Sequence, residues 1–556
     1  MGNTKPITAA PVLSDRVRVN GVETSVTFTA EEGILRWREN CLSIEKEVLG
    51  ITVEGSKIKI RAIKENDGGG IICCGGNTGG TVRRRSYNLE MLSEDSLRIW
   101  SQKLHEFIDS LVEDITMSDY CSMVCYKEII GSRPKRLFVF VNPYGGKRSA
   151  SKIFIDSVKP LLDDANIDYT LQETKYQLHA KEVAKSLDIL RYDGVVCVSG
   201  DGILVEVVNG LLEREDWDSA IKMPLGVVPA GTGNGMAKSL LDAVGLPCSA
   251  SNATLAIIRG GELLGFWKKK TCSFCMVKFQ LLFLSQLRLR SKPVVSSFLA
   301  GHKQSLDVAT ITQGQNRFFS VLMLAWGITS SILSCGLIAD IDIESEKYRW
   351  MGSARIDYYA IQRIFRLRRY NGCIKFLAAP GYETFGEPAD PEGETISEVK
   401  SSFVQHKGYC GPSLQMKDFN RKIEGPFVSV WLHNVPWGGE DTLAAPDAKF
   451  SDGYLDLVVI KDCPKLTLLS LMTELSKGGH VKSPHVLYFK VKAFVLEPGT
   501  QLDDGSKEGI IDVDGEVLAR GKGTYKSNYK TLMTYDKLYI KVDQGLATVF
   551  SPSTIS

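Results

Sequence analysis

Three glycine-rich loops, each at the end of an unbroken apolar run, constrain this chain more than any other feature. The runs are Leu137–Val141, Val195–Val198 and, more weakly, Leu225–Val228, and none of them alternates apolar with polar residues. A strand buried on both faces reads this way, as parallel strands do when helices cover the sheet. Each run enters its loop and then a helical pattern, so residues 133–259 repeat a strand–loop–helix unit. That repetition predicts a doubly wound α/β domain with a parallel sheet, whose ligands bind at the carboxyl ends of the strands.

The first loop is Asn142-Pro143-Tyr144-Gly145-Gly146-Lys147. Adjacent glycines let the backbone approach a phosphate, the following helix offers free amides, and Lys147 adds a point charge. The loop lacks the G-x-x-x-x-G-K-[ST] spacing, which disfavours a P-loop NTPase. The second, Ser199-Gly200-Asp201-Gly202, precedes the helical pattern Ile203–Leu212. Asp201 can accept a hydroxyl proton, help hold a nucleotide-bound metal, or simply cap the helix. Glu206 and Asn209 lie three apart on that helix, opposite Val205, Val208 and Leu212, and face either the site or water. The third loop, Pro229-Ala230-Gly231-Thr232-Gly233-Asn234-Gly235, combines free amides with two short hydrogen-bonding side chains. Three such loops in one domain predict nucleotide phosphate binding.

On the amino-terminal side, Val12–Val19, Val22–Phe28, Ile34–Trp37, Ile51–Val53 and Ile58–Ile63 read as short strands. A loop from Asp67 to the basic run Arg83-Arg84-Arg85 follows. A helix from Glu94 then carries Leu97, Trp100, Leu104, Phe107, Ile108 and Leu111 at three- and four-residue steps. Strands closed by one helix suggest a small pleckstrin-homology-like β domain over 12–115. Its arginines can serve anionic lipid or merely a solvated loop. Residues 301–550 read as a β-rich domain, with strands at Val308–Thr312, Phe318–Ala325, Phe427–Trp431, Leu455–Ile460, Leu487–Leu496, Gly509–Val513 and Leu538–Val542. Helical patches fall at Ile356–Arg369 and Lys465–Leu475, and 388–407 reads as an acidic, exposed loop.

Composition narrows the class. A net charge of +2 on 67 basic and 65 acidic side chains gives no support to nucleic-acid binding. Thirteen cysteines without a repeated spacing point to a reducing compartment, and the lone Cys272-x-x-Cys275 lacks the second ligand pair of a zinc site. The most apolar stretch, Val277–Leu289, is interrupted by Lys278, Gln280, Gln286 and Arg288 and is too short to span a bilayer. Pro6 occupies the place where a myristoylation signal has Ser or Thr. The expectation is a cytoplasmic protein in peripheral contact with anionic intracellular membranes.

The segments FVFVNPYGGKRSA, VSGDGILVEVVNGLLER and LGVVPAGTGNGMAKSL resemble the catalytic domain shared by diacylglycerol kinases and sphingosine kinases. SVLMLAWG, ADIDIESEKYRWMGSAR and DVDGEVLA resemble sphingosine kinases more specifically. VNGVETSVTF and SEDSLRIWSQKLHEFIDSL are similar to plant long-chain base kinases. The resemblance implies an ATP- and Mg2+-dependent kinase acting on the primary hydroxyl of a sphingoid base. It implies that Asp201 is the base that activates this hydroxyl. Asn142, Pro143, Gly145, Gly146, Lys147, Ser199, Gly200, Gly202, Glu206, Gly231, Thr232, Gly233 and Asn234 would border the nucleotide. Arg349 and Arg355 would approach its phosphates, and Asp340 would bind the substrate's amino group. Asp514, Gly515 and Glu516 would hold magnesium or the nucleotide, with Asp514 the candidate metal ligand. A protonated amine on an apolar lipid independently calls for a carboxylate, because a buried cation without a partner is costly. The run Asp340, Asp342, Glu344 and Glu346 supplies acids on one face of an extended segment.

Three segments depart from the family's pattern: Val112–Ile130, Gly261–Ala300 and Ile328–Gly336. Retained non-coding sequence or imperfect exon prediction explains them more simply than three specialised insertions. The last one matters most, because it adds nine residues just before Asp340. The alternatives are a diacylglycerol or ceramide kinase, which would share the ATP side without the amine-binding acid, and a catalytically impaired lipid-binding chain. NAD kinase has a related glycine–aspartate–glycine turn but a small, polar nucleoside pocket.

Overall fold

The computed structural model describes residues 12–64, 83–113, 135–145, 148–231, 233–260, 300–327, 367–389, 408–412, 419–461, 463–524 and 530–553. Gly146, Lys147, Thr232, Asp340, Arg349 and Arg355 lie outside the described residues, as do Cys272, Cys275 and nearly all of the three departing segments.

The amino-terminal strands are β1 (Val12–Val19), β2 (Val22–Thr29), β3 (Ile34–Trp37), β4 (Asn40–Ser43), β5 (Val48–Glu54), β6 (Lys57–Lys64) and β7 (Arg83–Met91). They form one antiparallel sheet in the order β4-β3-β2-β1-β7-β6-β5. Period-two alternation turns Val17, Val26, Leu35, Ile58, Ile60 and Leu89 inward. Trp100 and Leu104 of helix α1 (Glu94–Glu113) complete that core. The arginine run is strand rather than loop: β7 pairs with β6 from Arg83 opposite Lys64 to Lys57 opposite Glu90. The Arg84 guanidinium donates to both carboxylate oxygens of Asp164, at 2.5 and 2.9 Å. Ile63 packs beside this pair against Leu161 and Leu255, so the sheet docks directly on the α/β region.

That region contains β8 (Arg136–Val141), β9 (Asp168–Glu173), β10 (Gly194–Ser199) and β11 (Leu225–Pro229), parallel in the order β9-β8-β10-β11. Its helices include α2 (Lys159–Asp164), α3 (His179–Ser186), α4 (Asp201–Leu212), α5 (Gly235–Asp242) and α6 (Ala250–Arg259). Both faces of the sheet are buried. Phe138, Phe140, Val195 and Cys197 enter one core, and Leu137, Val139, Val141, Val196 and Val198 enter the other.

The carboxyl-terminal region is β-rich, as expected, but its sheet is not separate. It comprises β12 (Ala300–Gln313), β13 (Asn316–Ser320), β14 (Met323–Gly327), β15 (Tyr370–Ala378), β16 (Glu387–Pro388), β17 (Arg421–Glu424) and β18 (Ser429–His433). The short β19 (Trp437–Gly439) and β20 (Thr442–Leu443) follow, then β21 (Leu455–Ile460), α7 (Lys465–Glu474), β22 (Val486–Gln501), β23 (Ile510–Val513), β24 (Glu516–Arg520) and β25 (Leu538–Ser553). The first half of β25 pairs with β22, and Val549 near its end lies parallel to Leu225 of β11. One mixed sheet therefore runs β24-β23-β14-β18-β21-β22-β25-β11-β10-β8-β9. The single strand expected over Phe318–Ala325 is broken at Val321 and Leu322 into β13 and β14. The helical patch expected over Ile356–Arg369 falls outside the described residues up to 366, and residues 367–369 are irregular. Among the described residues, no helix is long and apolar enough to cross a membrane.

His433 of β18 is 1% exposed, and neither ring nitrogen has a hydrogen-bond partner among the described residues. Burial pushes its pKa down to about 3, with neighbouring His480 adding to the effect. An unfolded histidine titrates near pH ~6.5. Between those two values the unfolded chain binds a proton that the folded chain refuses, so stability present above that range is lost as pH falls through it. Taking the protein from pH 7 to pH 5 is expected to cost it about 2 kcal/mol more than it costs His433→Leu. Urea unfolding at the two pH values measures this. Equal losses in both proteins would remove His433 from the acid sensitivity.

Candidate active site

Register brings the glycine loops together. Val198 of β10 lies beside Val141 of β8, and Ser199 lies beside Pro229 of β11, so three strands end at one level and deliver their loops to one edge. Asn142 orders the first loop: its Oδ1 accepts from the Tyr144 amide at 3.1 Å, and its own amide donates to the Val198 carbonyl at 3.3 Å. Pro143 and Gly145 follow in that turn. The second and third loops touch backbone to backbone. A Cβ on Gly231 would lie 2.6 Å from the Gly200 nitrogen, so only glycine fits there. Buried Ser199 donates its hydroxyl to the Gly200 carbonyl at 2.6 Å, and its carbonyl accepts from the Ala230 amide.

Asp201 opens α4 but does not cap its own helix. Its Oδ2 accepts from the Gly235 amide at 2.8 Å and its Oδ1 from the Met236 amide at 3.1 Å, the first amides of α5. Burial pushes this carboxyl up, and the two amides, with its own backbone N–H, pull it back. A carboxylate has about four lone-pair directions, so these donors leave the group able to accept a proton from a hydroxyl placed at the strand ends.

Glu206 and Asn209 face neither solvent nor an open cleft. Glu206 accepts from the amides of Leu178 and Ala180, both at 3.0 Å, and so anchors the start of α3. Asn209 is consumed by the Phe319 backbone, donating to its carbonyl and accepting from its amide. Glu516, in the turn between β23 and β24, does reach the site. Its Oε1 lies 3.6 Å from the position of a Cβ on Gly202, and its Oε2 accepts from Gln177 Nε2 at 2.8 Å. Burial, then the charge of Glu206, pushes its pKa up.

Asp514 is buried against the break between β13 and β14. Its carboxylate accepts from the Ser320 hydroxyl and from the amides of Val321, Leu322 and Met323 at 2.6–3.0 Å. Oδ1 takes three of these donors and Oδ2 only the Val321 amide, and together they hold the chain at the break between β13 and β14. Asp514 and Gly515 take positive φ, 52° and 89°, and turn the hairpin that presents Glu516.

Sequence reasoning missed Gln177, Leu178 and the hairpin residues Trp437 and Glu440. Leu178 sits in the left-handed region with φ 68° just beyond β9. Its strand is an exposed edge with no apolar run to announce it. Glu440 accepts from Asn234 Nδ2 at 2.6 Å, and its charge adds to the upward push on Asp201. Only the Gly438-Gly439 pair hinted at a turn there. Among the described residues no cluster of three metal-ligating side chains occurs.

Residues 136–263 match the family described as diacylglycerol kinase catalytic domain, and residues 412–531 match the YegS C-terminal NAD kinase beta sandwich-like domain. Sphingosine kinase 1 of Arabidopsis thaliana is 53% identical over 545 residues, covering 97% of this chain and 96% of that protein. Sphingosine kinase 2 of the same plant is 52% identical, covering 99% of this chain and 100% of that protein. Human sphingosine kinase 1 is 32% identical over 403 residues, covering 69% and 87%.

The contact between the second and third loops sets a test. Gly231→Ala must part the two loops, which costs about 1–3 kcal/mol for an overpacked site, and should weaken nucleotide affinity at least tenfold. Thermal unfolding and nucleotide titration report the two effects. A variant with unchanged affinity would show that the packing of these loops does not shape the nucleotide site.

Proposed function

The chain is a lipid kinase belonging to the sphingosine kinase family, within the diacylglycerol kinase catalytic superfamily, and we propose that it transfers the terminal phosphoryl group of ATP to the primary hydroxyl of a sphingoid long-chain base. The convergence of three glycine loops on one buried carboxylate, Asp201, is the observation that carries this reading. The loops offer amides and Cβ-free backbone to phosphate, as Asn142, Gly145, Ser199, Gly200, Gly202, Gly231, Gly233 and Asn234 require of a cradle. ATP supplies the phosphoryl group, and magnesium offsets the charge spread over it. A nucleotide-borne magnesium needs only one or two carboxylates, usually with waters between. Glu516, held by Gln177 over Gly202, fits that place.

Asp201 accepts the proton as the lipid hydroxyl attacks, with the Gly235 and Met236 amides holding it in line. In this reading Asp340 pairs with the ammonium group, Arg349 and Arg355 approach the phosphates, and Gly146, Lys147 and Thr232 complete the cradle. The amino-terminal sheet and helix act as a pleckstrin-homology-like unit. Exposed Arg83 and Arg85 give it a basic edge that suits anionic membrane, and the reading is of a cytoplasmic enzyme that visits intracellular membranes.

Two variants and one panel test the proposal. Asp201→Asn should keep its fold and nucleotide binding while turnover drops about 10²–10⁴-fold, the usual loss with a general base. Near-normal turnover would exclude Asp201 from the chemical step. Asp340→Asn should lower kcat/KM about ten- to a hundredfold for sphingoid bases, since a charged hydrogen bond is worth ~1.5–3 kcal/mol. Amide and glycerol lipids should be spared. In a panel of sphingoid base, ceramide and diacylglycerol at equal ATP, preference for either neutral lipid would replace this substrate assignment.

A further inference from the structure

Glu440 lies at the tip of the β19–β20 hairpin, in the carboxyl-terminal region, yet its contacts lead to the carboxylate in the second glycine loop. Its Oε1 accepts from Asn234 Nδ2 at 2.6 Å. Asn234 takes the left-handed conformation, φ 56°, immediately before α5. Its side chain closes the third loop on itself: Oδ1 accepts from the Gly231 amide and Nδ2 donates to the Gly231 carbonyl, both at 3.0 Å. The next two residues, Gly235 and Met236, supply the amides that hold Asp201. A side chain of the β-rich region thus stands one hydrogen bond and one peptide link from the groups that aim Asp201.

The hairpin that carries Glu440 is firmly seated. The Trp437 amide donates to the Ser239 hydroxyl at 3.1 Å, and its indole Nε1 donates to Asp242 at 3.0 Å. The Lys238 ammonium lies 4.3 Å from the Trp437 ring centroid and pairs with Asp242 at 2.9 Å. A Cβ on Gly235 would lie 2.6 Å from the Trp437 carbonyl oxygen, so backbone packs on backbone here too. Glu440 itself is exposed and makes no ion pair among the described residues. An acid beside a phosphate loop weakens anion binding unless it does something else. A non-glycine residue in the left-handed region must be held there by its surroundings, and a charge-assisted bond is a strong way to hold it.

We propose that Glu440 is a positioning residue for phosphoryl transfer: by accepting from Asn234 it fixes the third glycine loop and, through Gly235 and Met236, the orientation of Asp201. The inference rests on the reading of Asp201 as the proton acceptor. It adds that the aim of Asp201 is set across the boundary between the α/β and β-rich regions. Displacing a catalytic group by ~1 Å can cost ~10²-fold in rate, so the effect belongs in kcat.

The test compares Glu440→Ala with Glu440→Gln in the full chain, since glutamine keeps the acceptor oxygen and drops the charge. Glu440→Ala should lower kcat about ten- to a hundredfold, with the KM for the lipid acceptor within about threefold of the parent and unchanged thermal unfolding. Glu440→Gln should recover most of the loss. Hydrogen exchange of the peptide spanning 231–236, read by mass spectrometry, should speed up about tenfold in the alanine variant and not in the glutamine variant. That readout needs no turnover, so it separates a wrong substrate assignment from a wrong role for Glu440. Normal kcat with unchanged exchange in Glu440→Ala overturns the proposal. So does a glutamine variant as impaired as alanine with a loss confined to amine acceptors, which would make Glu440 an ammonium partner instead.

Discussion

A single strand, β25, ties this molecule together. Its first residues, near Leu538–Lys541, pair with Leu496–Ala493 of β22 inside the β-rich region, and Val549 near its end aligns with Leu225 of the parallel sheet. Along the way it pairs with β12 from Tyr539 to Ser553, with a single irregularity near Leu306 and Val308. The β19–β20 hairpin that carries Glu440 is a separate two-stranded sheet, but backbone hydrogen bonds run from the strands behind the glycine loops to the strands that carry Asp514 and Glu516. A hinge between two independent sheets would let those carboxylates drift relative to Asp201. A shared sheet resists that drift, because shifting one half means breaking a row of ladder bonds.

On this frame the two carboxylates of the glycine–aspartate–glycine and aspartate–glycine–glutamate turns divide their work differently from what their motifs suggest. Asp201 and Asp514 are both buried aspartates that accept backbone amides. Asp514 accepts four donors and ends as an architectural group that breaks one strand into two. Asp201 accepts one amide of α5 on each oxygen and keeps acceptor capacity. The placing of donors, which no motif states, separates the two: Asp514 takes three on Oδ1 and one on Oδ2, whereas Asp201 takes one amide of α5 on each oxygen.

The sequence made the parallel strands and their loops legible because a fully buried strand leaves an unmistakable apolar run, and Leu137–Val141 and Val195–Val198 are such runs. The edge strand β9 was not legible for the same reason: its exposed positions break the run, and with it went Gln177 and Leu178. Strand β7 was hidden by Arg83–Arg85, whose charges read as loop although β6 pairs with them residue by residue. The break at Val321–Leu322 is caused by Asp514, nearly two hundred residues away, and no local propensity encodes it. Glu440 was invisible for a related reason. Its meaning comes from Asn234, and the two are joined only by the way the hairpin lies across α5.

The distribution of compensation among the acids around the site follows from the same geometry. Asp201 and Glu206 each face the first amides of a helix, α5 and α3, where the helix dipole and free N–H groups offset negative charge. Glu440 has one amide partner, but it is exposed, so water screens it. Glu516 is half-buried, receives one neutral donor from Gln177, and feels the charge of Glu206. It is the acid in this group with the least to balance it, and it lies against Gly202 at the mouth of the phosphate loops. A carboxylate left in that condition is stabilised by any cation that arrives with the nucleotide and penalised in its absence. In the proposed reading, Glu516 would be the point at which nucleotide charge meets protein charge.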